Sequence, residues 1–298
     1  MNVVPVASVI FTFNEEKNIE TCLQSVAGWC QQIIVVDSGS TDRTLDICRK
    51  YTGLIFPHPY IDHASQWDWS LKNLPLECDW VLRLDADDLV SEELKRQVEQ
   101  VMVAPEPDVS GYYVVHRHYF RNKPIHGLKT HWLCLIRHKN IRIDHSELVD
   151  FRFIVDGKTR NLSGSIIESN QKELEIDFWL DKHQKFSSRM AAEEVLRRAG
   201  VLRWSISGRL LGNPDERMIW FKNIWYHMPL FVRPFIYFTY RYFFRLGLLD
   251  GVNGFVYHFL QAFWFRLVVD IKISELNEEI RNGTMTLEQL QSSFAHSF

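Results

Sequence analysis

Apolar runs and stretches of helical spacing alternate along residues 6–88. The segments "VASVIFTF" (6–13), "QIIVVD" (32–37), "GLIFP" (53–57) and "DWVLRLD" (79–85) are nearly continuous apolar runs, as expected of strands covered on both faces. Between the first two, "NEEKNIETCLQSVAGW" opens on Asn14 as the expected helix cap. It carries Glu15 and Glu16 in its first turn and places Ile19, Cys22, Leu23 and Val26 on one face. "STDRTLDICRKY" repeats the design with Ser40 as the expected cap. Strand and helix alternating at this spacing predict a mostly parallel α/β sheet with right-handed crossovers.

The pattern changes after a helix expected over residues 91–103. "VSGYYVVHRHYF", "HWLCLIRH" and "FRFIV" alternate or run apolar between turn residues, as antiparallel strands do. The stretch 173–198 then reads as a charged amphipathic helix, and close to half of all aromatic residues fall between 218 and 271. These shifts divide the chain into an expected sheet domain over 1–170, with a mixed-sheet extension, and an aromatic-rich helical region over 171–298. No internal repeat is evident.

Composition narrows the function. With 298 residues, 46% of them apolar and 24% charged, the chain is that of a folded protein. A net charge of −3 offers no basic excess for a phosphate backbone, which argues against nucleic-acid binding. Five cysteines, odd in number and without a CxxC pair, fit a reducing cytosol, and no apolar leader or targeting segment precedes the first strand.

Three polar clusters fall where ligands bind in a doubly wound sheet, beyond the carboxyl ends of the strands. They are "TFNEE" after the first strand, "DSGSTD" after the second and "DADD" after the fourth. Asp85 and Asp87 stand two apart, so an extended strand end points both the same way. Two such oxygen ligands suit Mg2+ or Mn2+ holding a substrate diphosphate, and an ion would offset the crowded charge. The alternative is a helix cap, a role open to Asp88 and Ser91 in "DDLVSEEL". Asp37 either belongs to a strand-to-helix turn with Gly39 or accepts a hydrogen bond from a base edge such as uracil N3–H. Neither a GxGxxG nor a Walker A motif is present.

"ASVIFTFNEEKNIETCLQSV", "IIVVDSGSTDRT" and "DWVLRLDADD", in this order, resemble the family 2 glycosyltransferases of the GT-A fold. The likeness is to the branch that builds bacterial lipopolysaccharide and exopolysaccharide. "WLDKHQKFSSRMAAEE" and the aromatic stretch after residue 240 resemble that branch more loosely. The resemblance implies a nucleotide pocket lined by Thr12, Asn14, Glu15 and Ser38, with Asp37 reading the base. Asp85 would meet the ribose or a metal-bound water, and Asp87 the metal. Asp68 stands where relatives often carry Asn, and Lys72 on the same helix is a candidate phosphate contact. Glu168 replaces a histidine that completes the metal site in many relatives, and a carboxylate remains a competent ligand.

Displacing a nucleoside diphosphate with inversion at the anomeric carbon needs one base for the acceptor hydroxyl. "DHSELVDF" offers Asp144, Glu147 and Asp150. Relatives often show a His-Glu pair here, which favours Glu147, although the histidine, His145, is displaced by one position; Asp144 is the reserve. His116, His118, His126 and His131 show no ligand-like spacing and are expected to be surface or core residues.

The aromatic region is interrupted by Arg233, Arg241, Arg245, Asp250 and Arg266, so no simple membrane-spanning helix is expected. Rings interleaved with arginines suit helices lying in lipid headgroups, with guanidinium groups on phosphates, beside a lipid-linked or lipopolysaccharide-type acceptor at the inner face of the cytoplasmic membrane. A packed helical core or a homodimer face is the alternative. The expectation is an inverting, metal-dependent glycosyltransferase using a nucleotide-diphosphate sugar, with UDP favoured. The rivals are a nucleotidyltransferase, against which "TFNEEKN" lacks the glycine-rich phosphate loop, and a non-catalytic scaffold.

Overall fold

The computed structural model describes residues 2–295. The chain divides into two compact units. The first runs through residue 122 and takes in Lys129–Ile143 and Arg152–Lys172; the second takes in Lys123–Leu128, Asp144–Phe151 and the chain from Glu173 on.

The first unit begins with β1 (Val4–Thr12), α1 (Ile19–Val26), β2 (Cys30–Asp37), α2 (Thr44–Cys48), β3 (Ile55–Pro57), α3 (His63–Asn73) and β4 (Trp80–Asp85). Then follow β5 (Asp88–Val90), α4 (Glu92–Val103), β6 (Val109–Phe120), β7 (Lys123–Arg137), β8 (Ile141–Asp144), β9 (Arg152–Val155) and β10 (Lys158–Glu168), with the start of β7 and the last residue of β8 falling in the second unit. One eight-stranded sheet has the order β3-β2-β1-β4-β7-β6-β10-β5, and β8 and β9 form a separate pair. The neighbours β3, β2, β1 and β4 are parallel, β7 is antiparallel to β4, and β5 to β10. This is the mostly parallel sheet with a mixed extension that the hydropathy pattern predicts. Val6, Ile10, Val35, Leu82 and Leu84 are buried in it against Ile19, Leu23 and Val26 of α1, each large side chain contributing about 1.5–3 kcal/mol.

Local details depart from expectation for identifiable reasons. Asn14 does not cap a helix: it adopts φ 53°, its amide donates to Ser40 Oγ at 2.8 Å and its Oδ1 accepts from Thr41 N at 2.8 Å. The loop is thereby tied to the turn after β2, and α1 starts only at Ile19. Ser40 is likewise taken by Asp37, while Asp42 accepts from Thr44 N at 2.9 Å where α2 begins. "DLV" (88–90) forms the short strand β5 before Ser91 caps α4 by accepting from Leu94 N at 3.2 Å. The strand β10, in a segment where no strand is expected from the sequence, runs parallel to β6, and "FRFIV" pairs in the small β8–β9 sheet. Between β6 and β7, Arg121 and Asn122 both have positive φ, as a tight two-residue hairpin turn requires.

The second unit is helical: α5 (Ile176–Arg198), α6 (Pro214–His227), α7 (Arg233–Thr239), α8 (Gly251–His258), α9 (Phe265–Arg281) and α10 (Leu287–Ala295). Ala191, Ala192, Val195 and Leu196 of α5 pack against Phe265, Val269 and Ile273 of α9 and Leu290 of α10. Asn213 and Glu216 form a reciprocal cap at the start of α6. No helix among the described residues is long and apolar enough to cross a membrane. π-helical turns at Tyr240–Phe244 and Phe259–Trp264 interrupt the aromatic stretch.

The arginines of this stretch correct the expectation of guanidinium groups facing lipid phosphate. Arg233 is wholly buried between Glu194 and Asp270, at 2.7 and 2.5 Å, and its guanidinium lies 4.8 Å from the Trp225 ring centroid. Arg241 is buried over the Tyr237 and Tyr257 rings; Arg266, half-buried, lies over Tyr237 and Phe265. The rings hold these charges inside, and only Arg245 is exposed. The same stretch also presents apolar side chains outward: Phe235, Phe243, Phe244, Leu249, Val252 and Phe255 are all exposed.

Candidate active site

In the first unit, strand register assembles the three polar clusters. Thr12 on β1 pairs with Asp37 on β2, and Phe11 on β1 pairs with Asp85 on β4. The carboxyl ends of β2, β1 and β4 therefore finish level, spanning about 10 Å at a strand spacing of about 4.8 Å.

Asp37 is buried, and its carboxylate organises the turn: Oδ2 accepts from Gly39 N at 2.9 Å and Ser40 N at 3.0 Å, and Oδ1 accepts from Ser40 Oγ at 2.5 Å. Gly39 sits at φ 95°, a conformation that side chains rarely tolerate. Ser38 donates its amide to Thr12 O at 3.0 Å, and its Oγ accepts from Gln66 Nε2 at 3.3 Å. Gln66 is fully buried and bonded to His58 Nδ1 at 2.7 Å. The Thr12 hydroxyl is buried without a hydrogen-bond partner among the described residues, at the level where a ligand atom would satisfy it. Glu15 accepts from Asn18 Nδ2 at 2.6 Å and pairs with Lys172, which also donates to Asn14 O at 3.3 Å.

The acidic turn after β4 is held from several sides. Asp85 N donates to Asp88 Oδ2 at 2.9 Å. Asp87 Oδ2 accepts from Asn170 Nδ2 at 2.9 Å, and Asp87 O from Ser169 N at 3.0 Å, so the end of β10 is fastened to this turn. Burial, with Asp85 and Glu168 adding like charge, pushes the Asp88 carboxyl well above the usual carboxylate range. A divalent cation would relieve this repulsion; the group of three ligand-type side chains close enough to share one ion among the described residues is His116, His118 and Glu168, without Asp85 or Asp87.

Glu168 lies beside His118 of β6 and Asp88 of β5 in strand register. His118 Nδ1 is 2.6 Å from Glu168 Oε2. His116 Nε2 is 3.2 Å from Asp88 Oδ1, and its ring stacks on Trp132 at 3.9 Å. Burial pushes the His116 pKa down, opposed by Glu168 and supported by Arg83. His116 is buried, as a core residue is, but His116 and His118 also stand within ligand distance of Glu168, which corrects the expectation that they show no ligand-like spacing. The H-x-H spacing on an alternating strand is the signal that would have found them. Gln66, His58 and Asn170 carry no such signal, because only tertiary packing brings them to the site.

Lys72 lies in the last turn of α3 and is largely exposed, with Asp68 Oδ2 3.9 Å away. The candidate bases belong to the second unit. Glu147 is buried and bonded to Lys222 Nζ at 2.6 Å; Asp144 is buried and accepts from Ser146 N at 2.9 Å; Asp150 accepts from Phe151 N at 3.2 Å.

Comparison with known proteins gives this geometry a family. The lipopolysaccharide core biosynthesis glycosyltransferase LpsC of Rhizobium meliloti (strain 1021) is 26% identical over 278 residues, 87% of this chain and 91% of LpsC. An uncharacterized glycosyltransferase of Rickettsia bellii (strain RML369-C) is 31% identical over 103 residues, 35% of this chain and 34% of that protein. Among solved structures, glucosyl-3-phosphoglycerate synthase from Mycobacterium tuberculosis, in complex with Mn2+, UDP and glucosyl-3-phosphoglycerate, aligns over 69% of this chain and 83% of that one, with TM-score 0.38 and 16% identity. The family described as Glycosyl transferase family 2 matches residues 8–156, half of the chain. The chain belongs to glycosyl transferase family 2 and is a glycosyltransferase related to a lipopolysaccharide core enzyme.

Proposed function

We propose that the protein transfers one sugar, with inversion, from a nucleotide-diphosphate sugar, UDP being the favoured carrier, to a lipid-linked or lipopolysaccharide-type saccharide. The observation that carries this reading is that β2, β1 and β4 finish within one residue of each other, with Asp37 in register with Thr12 and Asp85 with the preceding Phe11. In it, Thr12, Asn14, Glu15 and Ser38 line the nucleotide pocket and Asp37 receives the base, its Oδ1 holding lone-pair capacity beyond the bond to Ser40. Asp85 faces the ribose and Asp87 the metal, with Glu168 as a further carboxylate ligand. A divalent Mn2+ or Mg2+ would neutralise the departing diphosphate. Glu147, or Asp144 in its place, takes the proton of the acceptor hydroxyl as the glycosidic bond forms. Lys72 is the weakest member of the set, given its exposed salt-bridged position.

The exposed rings of the helical region support a peripheral position at the inner face of the cytoplasmic membrane, the apolar face entering the headgroup layer. A second copy of the chain is the alternative occupant of this face.

A thermal-shift screen of UDP, GDP, dTDP and CDP sugars with Mn2+ tests the donor. Stabilisation by one of them is expected, abolished in Asp87→Asn and retained in Glu147→Gln. Transfer should fall by about 10²–10⁴-fold in Glu147→Gln. Retained binding in Asp87→Asn, or full turnover in Glu147→Gln, would overturn these assignments; pyrophosphate release would mark a nucleotidyltransferase.

A further inference from the structure

The group formed by His116, His118 and Glu168 differs from a solvated acidic patch. The two histidines are two apart on β6, so the pleat sends both to one face, and Glu168 is His118's register partner. Glu168 Oε2 stands 2.6 Å from His118 Nδ1 and 3.9 Å from His116 Nδ1. One ligand atom from each residue lies within 4.8 Å of the others. Bonds of about 2.0–2.1 Å to a tetrahedral ion imply ligand-to-ligand edges of about 3.4 Å, a value between the two measured separations. Small side-chain shifts would admit an ion.

His116 adds an independent observation. Its side chain is 2% exposed, and its Nδ1 has no hydrogen-bond partner among the described residues. Its other nitrogen lies 3.2 Å from Asp88 Oδ1. A carboxylate in that position holds a ligating imidazole in the tautomer whose free lone pair faces the metal. The Trp132 ring, stacked at 13°, fixes the imidazole plane. A buried ring nitrogen left without a hydrogen-bond partner is costly, and in the tautomer with its lone pair on Nδ1 a ligated ion would satisfy it.

We infer that His116, His118 and Glu168 bind one divalent transition-metal ion, with Asp88 as the positioning residue for His116. Two imidazoles and one carboxylate suit Zn2+, Co2+ or Fe2+, whereas Mg2+ prefers an all-oxygen shell. The inference shares Glu168 with the proposed donor site and asks nothing of Asp85 or Asp87.

Equilibrium dialysis and visible absorption of the full chain with Co2+, without nucleotide, test it. One equivalent should bind with the d–d bands of a nitrogen-ligated ion, yield to Zn2+, and resist excess Mg2+. His118→Asn and Glu168→Gln, each checked for native folding by near-UV circular dichroism, should weaken binding by more than about tenfold. Asp88→Asn should weaken it by about 10–100-fold, and Asp87→Asn should leave it unchanged. No Co2+ binding by the unaltered chain, displacement by Mg2+, or binding lost in Asp87→Asn but kept in His118→Asn would overturn the inference. Sugar-nucleotide binding lost in Asp87→Asn with Co2+ retained distinguishes this site from the donor site.

Discussion

Two small residues bear on how the acidic turn is held. Gly164 of β10 faces α4 so closely that a Cβ there would lie 2.4 Å from Leu94 Cα, and this is backbone, which cannot swing aside. Gly164→Ala is therefore expected to cost about 1–3 kcal/mol, read as a lowered urea midpoint at unchanged slope. Ser91 caps α4 and also accepts from Ser165 N at 3.0 Å, joining helix and strand through one hydroxyl. Ser91→Ala should cost about 1–2 kcal/mol and Ser91→Asp less, a difference that chemical denaturation would resolve. Asp37 illustrates how one side chain serves two readings: its acceptor bonds to Gly39 and Ser40 make the turn, and the same bonds fix the carboxylate at the strand's end.

At the level of elements, α5, α7 and α9 are joined by Arg233 between Glu194 and Asp270, all three buried. Such a network gives little net stability while intact, but removing one partner strands a buried charge. Asp270→Ala is expected to lower stability by about 3–5 kcal/mol, and the simultaneous change of Arg233, Glu194 and Asp270 to apolar residues of similar volume by far less. Calorimetry on both variants would check this. On α8, burial, reinforced by Arg241, pushes the His258 pKa down to about 4 from the ordinary 6.5. Below pH 6.5 the unfolded chain takes up a proton that the folded one refuses. Stability contributed by neutral His258 is full above that pH, declines as the pH falls, and is gone below about 4. Thermal melts from pH 7.5 down should show this loss, and His258→Gln should flatten it.

For the whole molecule, the question is what the exposed apolar residues of the helical unit meet. Phe244 is 75% exposed and Val252 80%, and a net charge of −3 gives no general attraction to an anionic surface. Binding to lipid would thus rest on buried apolar area, at about 25 cal/mol per Å², with a modest salt dependence. Flotation of the full chain with phosphatidylglycerol-containing vesicles should fall in a Phe244→Ser, Val252→Ser double variant and change little between low and moderate salt. Flotation unchanged by the double variant, or abolished by salt, would count against an apolar mode of attachment.

The α/β class, the parallel strands before residue 86 and the placing of polar clusters beyond strand ends were legible in the chain, because continuous apolar runs and amphipathic helical spacing are local consequences of side-chain period. The family motifs lie in that same local stretch. The short strand β5, the parallel pairing of β10 with β6 and the left-handed Asn14 were not legible, since each depends on partners far away in sequence. The same holds for the histidines and the arginines. His116 and His118 gain a carboxylate only when β10 is laid beside β6, and Arg233 and Arg241, which read as surface charges, are internal because distant rings and carboxylates surround them. Sequence alone determined the alternating strands and helices of the first ninety residues; tertiary pairing decided where short strands such as β5 add to the sheet and which polar groups share one environment, because burial and electrostatic coupling depend on distance in space rather than along the chain.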